Sequence, residues 1–196
     1  MSIAPIEPSR SALLVMDFQG GILGSVQDAD ALVARTASTI KSVRAAGGHV
    51  GYVRVGFADA DYEALPAYSR FAPIAADPKM RSAMHADSAT TAIDERLAPQ
   101  DGDFVVRKTR VGPFTTTDLQ EQLKARNVDT LILAGISTSG VVLSTVRQGV
   151  DLDFRVLVLS DATADPDSEV HNLLIGKVFP RQADVLTVEE LEGLLS

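Results

Sequence analysis

The sequence predicts a doubly wound α/β fold, a Rossmann-like three-layer sandwich with helices on both faces of a six-stranded, mainly parallel sheet. Apolar segments of strand length alternate with segments of helical spacing along the whole chain. This alternation implies right-handed crossovers, which place the connected strands parallel to one another. No internal repeat, low-complexity tract or linker divides the 196 residues. We therefore expect residues 1–196 to form a single domain.

The first half of the chain predicts three strands and one long helix. SALLVM (11–16) is an apolar run typical of a strand that is buried on both faces. Helically spaced apolar residues predict a helix over 29–46, which ends at two glycines suited to a C-cap. HVGYVRVGF (49–57) and DFVVR (103–107) predict the second and third strands. Between them, 58–88 carries three prolines and predicts an irregular segment, which we interpret as a lid or an interface arm.

The second half of the chain continues the alternation of strands and helices. We predict strands at 129–134, 154–162 and 183–187, and helices at 118–126, 138–150, 167–179 and from Val188 onward. The first of these helices is expected to begin near Thr115 to Thr117.

Charge and hydropathy restrict the class of partner. The formal net charge of −8 disfavours nucleic acid and anionic membranes, which bind basic surfaces. No apolar run approaches the roughly 20 residues of a membrane-spanning helix, and the first ten residues do not resemble a signal peptide. We therefore expect a cytoplasmic protein that acts on a small molecule.

Cysteine is absent and histidine is scarce. A chain with no cysteine can form neither a disulfide nor a thiolate metal site, and it offers no thiol nucleophile. Its three histidines, His49, His85 and His171, lie far apart and lack the spacing of metal ligands. We expect neither a metal nor a cofactor.

Three strand ends carry polar residues where doubly wound sheets bind their ligands. Asp17 follows the first strand, although an acid in this position can also be a helix cap or a loop residue. Lys108 follows the third strand, although a lysine at a strand end is often solvated. If the two strand ends are neighbours, the side chains form an acid–base pair in which each shifts the pKa of the other.

The turn GISTSG (135–140) is the third candidate. Its backbone N–H groups from Ser137 to Gly140 point toward a helix start, where an anion or a developing oxyanion is bound in many proteins. The alternative is an ordinary helix N-cap, with Ser137, Thr138 or Ser139 accepting hydrogen bonds from the free N–H groups.

Three motifs in this order, LLVMDFQ, KTRVGPFTTTDL and G-I-x-T before a helix, resemble those of the isochorismatase-like (cysteine hydrolase) superfamily. The resemblance implies a site of one Asp, one Lys and one Cys. The Asp falls at Asp17 and the Lys at Lys108, whereas the Cys falls at Val141. The resemblance also implies a cis peptide between Ile136 and Ser137, and a homodimer or larger homo-oligomer.

A valine at the nucleophile's position changes the expected chemistry, because Val141 has no lone pair with which to attack a substrate. Our leading hypothesis is a thiol-independent hydrolase of a small anionic metabolite, in which Asp17 and Lys108 perform acid–base catalysis, as in vinyl-ether hydrolysis. The other hypotheses are a catalytically inactive family member that binds a small molecule or serves as an oligomeric partner, and an amidase that uses serine or water.

Further residues are assigned to substrate binding. Gln19 is a candidate for orienting substrate or water, and Phe18 and Phe114 for forming the pocket wall, although buried aromatic residues most often belong to the core. In the amidase hypothesis, Ser139 is the serine nearest the mouth of the site. We expect His171 to be a solvated helix residue.

Overall fold

The structure is a computed structural model that describes residues 3–195. Its centre is one sheet of six strands, β1 (Ser11–Met16), β2 (His49–Val55), β3 (Phe104–Lys108), β4 (Thr130–Ile136), β5 (Arg155–Ala164) and β6 (Asp184–Leu186). Every neighbouring pair is parallel, and the order across the sheet is β3-β2-β1-β4-β5-β6. The predicted fold class is confirmed. The strand order reverses direction at β1 and β4, where such sheets bind their ligands.

The helices connect these strands. The α-helices are α1 (Gly20–Leu23), α2 (Ala29–Ala45), α3 (Asp59–Glu63), α4 (Ala72–Ala76), α5 (Pro78–Ala83), α6 (Leu119–Ala125), α7 (Leu143–Asp151), α8 (Ser168–Leu173) and α9 (Val188–Leu195). Short 3-10 helices lie at Pro8–Arg10, Ala89–Thr91, Glu95–Leu97 and Phe179–Arg181, and π-helical turns at Thr138–Val142 and Leu174–Val178. In the part of the chain that the structure describes, no helix is long and apolar enough to cross a membrane.

Two hydrophobic cores lie on opposite faces of the sheet, because successive side chains of a strand point to opposite sides. On β1, Leu13 and Val15 pack with α2 and α9, whereas Leu14 and Met16 pack with α6 and α7. All six residues of β1 are buried, which explains why the strand is apolar from Ala12 to Met16. The two cores fix the carboxyl end of β1, and with it the position of Asp17.

The 58–88 segment is more regular than the sequence indicated. It contains the three short helices α3, α4 and α5. Pro73 and Pro78 lie in the first turns of α4 and α5, where proline is favoured because its fixed φ suits the helix and no N–H partner is needed. These two prolines therefore lie at helix starts and do not interrupt the helices. Phe57 and Tyr62 form a small third core under this segment.

Two helix boundaries also differ from the prediction. Helix α6 begins at Leu119 rather than near Thr115 to Thr117, because the Thr117 hydroxyl accepts a hydrogen bond from the Leu119 N–H and donates one to Pro113 O. These bonds form a local turn that competes with helix. The helix predicted at 138–150 starts with the π-helical turn and continues as α7.

Gln19 joins three parts of the chain beneath the carboxyl ends of the strands. Its side-chain amide donates hydrogen bonds to Val55 O (2.8 Å) and Thr91 O (2.6 Å), and its Oε1 accepts one from Val55 N–H (2.8 Å). The residue is 1% exposed. The prediction that Gln19 orients substrate or water is therefore wrong, because backbone groups occupy both of its donors. It is a structural link between β1, β2 and the 88–93 loop.

Replacing Gln19 with leucine is expected to lower the free energy of unfolding by on the order of 2–4 kcal/mol, because buried backbone groups lose their partners. Gln120→Leu, on the exposed face of α6, is the matched control and should change stability by no more than about 0.5 kcal/mol. Urea unfolding followed by circular dichroism measures both. Equal stabilities for the two variants would show that Gln19 is not a structural link.

Candidate active site

Asp17 and Lys108 form a buried ion pair at the carboxyl edge of the sheet. Asp17 Oδ2 lies 2.9 Å from Lys108 Nζ, and both side chains are almost completely buried. The sequence predicted this pair only if the two strands were neighbours, but β2 lies between β1 and β3. The lysine side chain therefore crosses the end of β2 to reach Asp17.

The backbone of Asp17 holds the carboxylate at this edge. Asp17 has a left-handed conformation with φ of 60°, which aspartate tolerates better than most residues. Its N–H donates to Val53 O at 2.8 Å, and its carbonyl accepts from the Gln19 N–H at 2.8 Å. The chain thus turns sharply out of β1 immediately at the acid, and the conformation does not match that of an ordinary helix cap.

The second oxygen of the Asp17 carboxyl group, Oδ1, is buried without a hydrogen-bond partner among the described residues. Burial raises the pKa of Asp17 from 3.8 to about 6, although the charge and hydrogen bond of Lys108 act in the opposite direction. An unpaired buried carboxylate oxygen is costly, and protonation or a ligand that donates a hydrogen bond removes that cost. The carboxyl group is therefore suited to exchanging a proton with a bound molecule near neutral pH.

The turn after β4 forms the opposite wall. The Ile136–Ser137 peptide is cis, and the N–H groups of Gly140 and Val142 donate to Ser137 O at 3.1 and 3.3 Å. A Cβ at Gly140 would lie 2.7 Å from Ser137 Oγ, so a larger residue at this position would displace the Ser137 hydroxyl. Val141, at the position where the resemblance expects the nucleophile, is 2% exposed.

These groups line one cleft of about 300 Å³. Its polar lining consists of Asp17, Ser25, Lys108, Arg110 and Ser137. Its remaining lining residues are Ile22, Val55, Phe71, Met84, Val111, Ile136, Gly140, Val141 and Pro166. A larger depression of about 470 Å³ lies between α3 and the 85–88 loop, but its Asp59 is already paired with Arg81. The smaller cleft is the better candidate, because it contains the buried ion pair.

Two aromatic residues predicted for the pocket wall lie elsewhere. Phe18 is 1% exposed and belongs to the core beneath α2 and α9. Phe114 packs against the opposite core and stacks on Phe154 with 6.1 Å between ring centroids. Both predictions are corrected, because these rings fill the two cores. Phe71, from the segment that was expected to be irregular, contributes the aromatic wall instead.

The polar groups at 138 and 139 contact the segment after β5. Thr138 is fully buried, and its Oγ1 lies at a hydrogen-bond distance of 2.8 Å from His171 Nδ1. The Ser139 N–H donates to Asp165 Oδ2 at 2.8 Å, and its side chain is exposed. Neither residue is among those that line the cleft. The predicted anion-binding role of the Ser139 N–H is corrected, because Asp165 already accepts its hydrogen bond.

His171 differs from its expected role as a solvated residue. It is half-buried and contacts Thr138. Burial lowers the pKa of His171, while the charge of Asp165 opposes that change. Sequence reasoning missed this contact because 33 residues separate the two partners. His171 therefore stabilises the turn after β4 through its contact with Thr138.

Arg110 is a further charged residue of the cleft. It lies two residues after Lys108, and its side chain lines the cleft. By contrast, the nearby Arg107 is paired with Asp61 at 2.6 Å. Among residues 3–195, no group of three or more His, Asp or Glu side chains is arranged to hold a metal ion.

Comparison with known proteins places this site in a family. A model described as the isochorismatase domain matches residues 11–190. YecD of Escherichia coli O157:H7, an uncharacterized isochorismatase family protein, is 36% identical, and the match covers 97% of this chain and 98% of YecD. The ureidoacrylate amidohydrolase RutB of Rhizobium rhizogenes is 30% identical, with 96% of this chain and 80% of RutB covered.

Solved structures agree with the sequence comparison. An isochorismatase family protein from Burkholderia thailandensis superimposes with a TM-score of 0.84 and 29% identity, over 99% of each chain. A cysteine hydrolase from Pseudomonas syringae pv. phaseolicola gives a TM-score of 0.87 and 26% identity, over 98% of this chain and 95% of that one. The residues 11–190 that match the family model contain all six strands of the sheet. This chain therefore belongs to the isochorismatase family of hydrolases.

Proposed function

We propose that this protein hydrolyses a small anionic metabolite without a covalent intermediate, and that Asp17 is the proton donor. The observation that carries the proposal is the unpartnered, buried Oδ1 of Asp17, whose carboxyl group has a pKa of about 6. At pH 7 about one carboxyl group in ten would carry a proton, and at pH 6 about half. General acids whose pKa lies close to the working pH are the most effective ones.

Vinyl-ether hydrolysis fits a site of this composition. The O–H bond of Asp17 breaks as the alkene electron pair takes the proton, which forms a C–H bond and an oxocarbenium ion. Water adds to the cationic carbon and returns a proton to the carboxylate. The resulting hemiketal loses the alcohol and leaves a carbonyl compound. Lys108, 2.9 Å from Oδ2, stabilises the carboxylate that exists between the two proton transfers. No step requires a nucleophile at Val141.

An amidase is the second candidate, because relatives such as RutB and the maleamate amidohydrolase of Pseudomonas putida act on amides according to their names. The serines that line the cleft are Ser25 and Ser137, whereas Ser139 is exposed and lies outside it. Ser137 lies in the turn after β4, beside Val141. An amidase here would use Ser137 or a water molecule, with Asp17 as the base. The third candidate is an inactive ligand-binding protein, which the valine at position 141 favours.

Asp17→Asn is expected to lower turnover by at least about 100-fold and to leave ligand binding in place, because a general acid contributes roughly that factor or more. Asp28→Asn is the matched control, since Asp28 is also an aspartate with a positive φ but is exposed. Turnover is measured with isochorismate as the vinyl-ether probe and with a panel of primary amides. Binding of the same compounds to the two variants is measured by calorimetry.

The outcomes separate the three candidates. Loss of vinyl-ether turnover with binding retained supports the proposal. Loss of amide turnover alone would replace it with the amidase. No turnover by the wild type with either class, together with unchanged binding by the variant, would indicate a ligand-binding protein.

The pH dependence of the rate tests the direction of proton transfer. If Asp17 donates the proton, the rate should fall as pH rises through about 6, because the protonated form disappears. Lys108→Met removes the positive charge that lowers the pKa of Asp17, so the midpoint should move to higher pH. Steady-state rates of both proteins across the pH range measure this. A rate that rises through pH 6 would make Asp17 a base and contradict the proposal.

A further inference from the structure

A hydrogen bond to the backbone carbonyl of Arg110 holds this residue beside the ion pair. Lys108 Nζ donates a hydrogen bond to Arg110 O at 3.2 Å, so the lysine that pairs with Asp17 also fixes the chain at Arg110. The Arg110 side chain is half-buried and lines the same cleft as both of those residues.

The charge of Arg110 is not balanced by any carboxylate of residues 3–195 within ion-pair distance. Its guanidinium donates only to uncharged acceptors, the carbonyl and hydroxyl oxygens of Thr109. Asp61 is close enough for Arg110 to lower its pKa, but Arg107 holds the Asp61 carboxylate at 2.6 Å. When Asp17 is ionised it balances the charge of Lys108, so Arg110 leaves an excess of one positive charge in the cleft.

The surroundings of this charge are largely apolar. The Arg110 guanidinium carbon lies 5.8 Å from the centre of the Phe71 ring, and Val111 and Met84 line the same region. A planar guanidinium with free donors, set against apolar walls, is well suited to bind a carboxylate through two parallel hydrogen bonds. In a chain of net charge −8, a fixed cation is also needed to offset the repulsion of an anionic ligand.

The guanidinium is separate from the reacting carboxyl group. The Asp17 carboxylate is paired with Lys108, whereas the guanidinium of Arg110 makes its hydrogen bonds to Thr109. A ligand that contacts both Arg110 and Asp17 must therefore span the cleft between them.

From these contacts we infer that Arg110 binds a carboxylate of the substrate. Together with the proposed function, on which this assignment rests, it defines the substrate as a small molecule with a different functional group at each end. A carboxylate is held by Arg110 at one end, and the bond to be hydrolysed lies at the other end, against Asp17. The apolar walls contact the carbon chain between the two ends.

The test compares two ligands of equal shape that differ by one charge, succinamate and its neutral diamide, succinamide. Calorimetric titration of the Asp17→Asn protein prevents turnover during the measurement. That protein should bind succinamate at least about tenfold more tightly than succinamide, in keeping with a charge-assisted, bidentate contact. Adding Arg110→Gln should abolish the difference. With Arg110→Lys in place of Arg110→Gln, part of the difference in affinity should return, since lysine supplies a positive charge but not the paired N–H donors of arginine.

Arg70→Gln is the matched control, because Arg70 is an exposed arginine of the 58–88 segment that does not line the cleft. It should retain the full preference for succinamate, and circular dichroism checks that every variant is folded. The inference is overturned if neither ligand binds, if both bind equally, or if Arg70→Gln loses the preference to the same extent. If the preference depends on Arg110 but the wild-type protein hydrolyses no substrate, the proposed function fails and the carboxylate site stands.

Discussion

The buried ion pair between Asp17 and Lys108 is the constraint on which the rest of the site depends. Two opposite charges held at 2.9 Å in the interior of a protein compensate each other, and removing one of them leaves the other buried charge without a counter-charge. The strand order places β2 between the two partners, so the lysine side chain reaches across the end of that strand. Gln19 in turn fixes the end of β2 against the 88–93 loop.

The same pair determines what the site can do. Lys108 engages only one oxygen of the carboxyl group, and the other, Oδ1, is buried without a hydrogen-bond partner among the described residues. Desolvation outweighs the attraction of the lysine and keeps the pKa of Asp17 near 6. A cleft with such an acid, a valine at position 141 and an unbalanced arginine favours chemistry that needs a proton and water. A thiol is not available anywhere in this chain.

Much of the fold could be predicted from sequence, because the strands are short apolar runs that end at polar residues. The family motifs identified Asp17 and Lys108, but their pairing required the strand order. Gln19 was misassigned since its partner Thr91 lies 72 residues away, and no local pattern shows which backbone groups need a donor. Phe18 and Phe114 were misassigned because their motif positions do not show toward which core a ring points. The homo-oligomer and the cytoplasmic location remain predictions.

The protonation of Asp17 is the central claim, and it can be observed without a substrate. Carbon-detected NMR of the side-chain carboxyl groups, with Asp17→Asn to assign the resonance, gives the pKa of this residue directly. A titration midpoint near 6, moving upward in Lys108→Met, is the result expected when burial dominates and the lysine opposes it. A midpoint at or below the ordinary value of 3.8 would mean that Asp17 is fully ionised at neutral pH and would contradict its role as a proton donor.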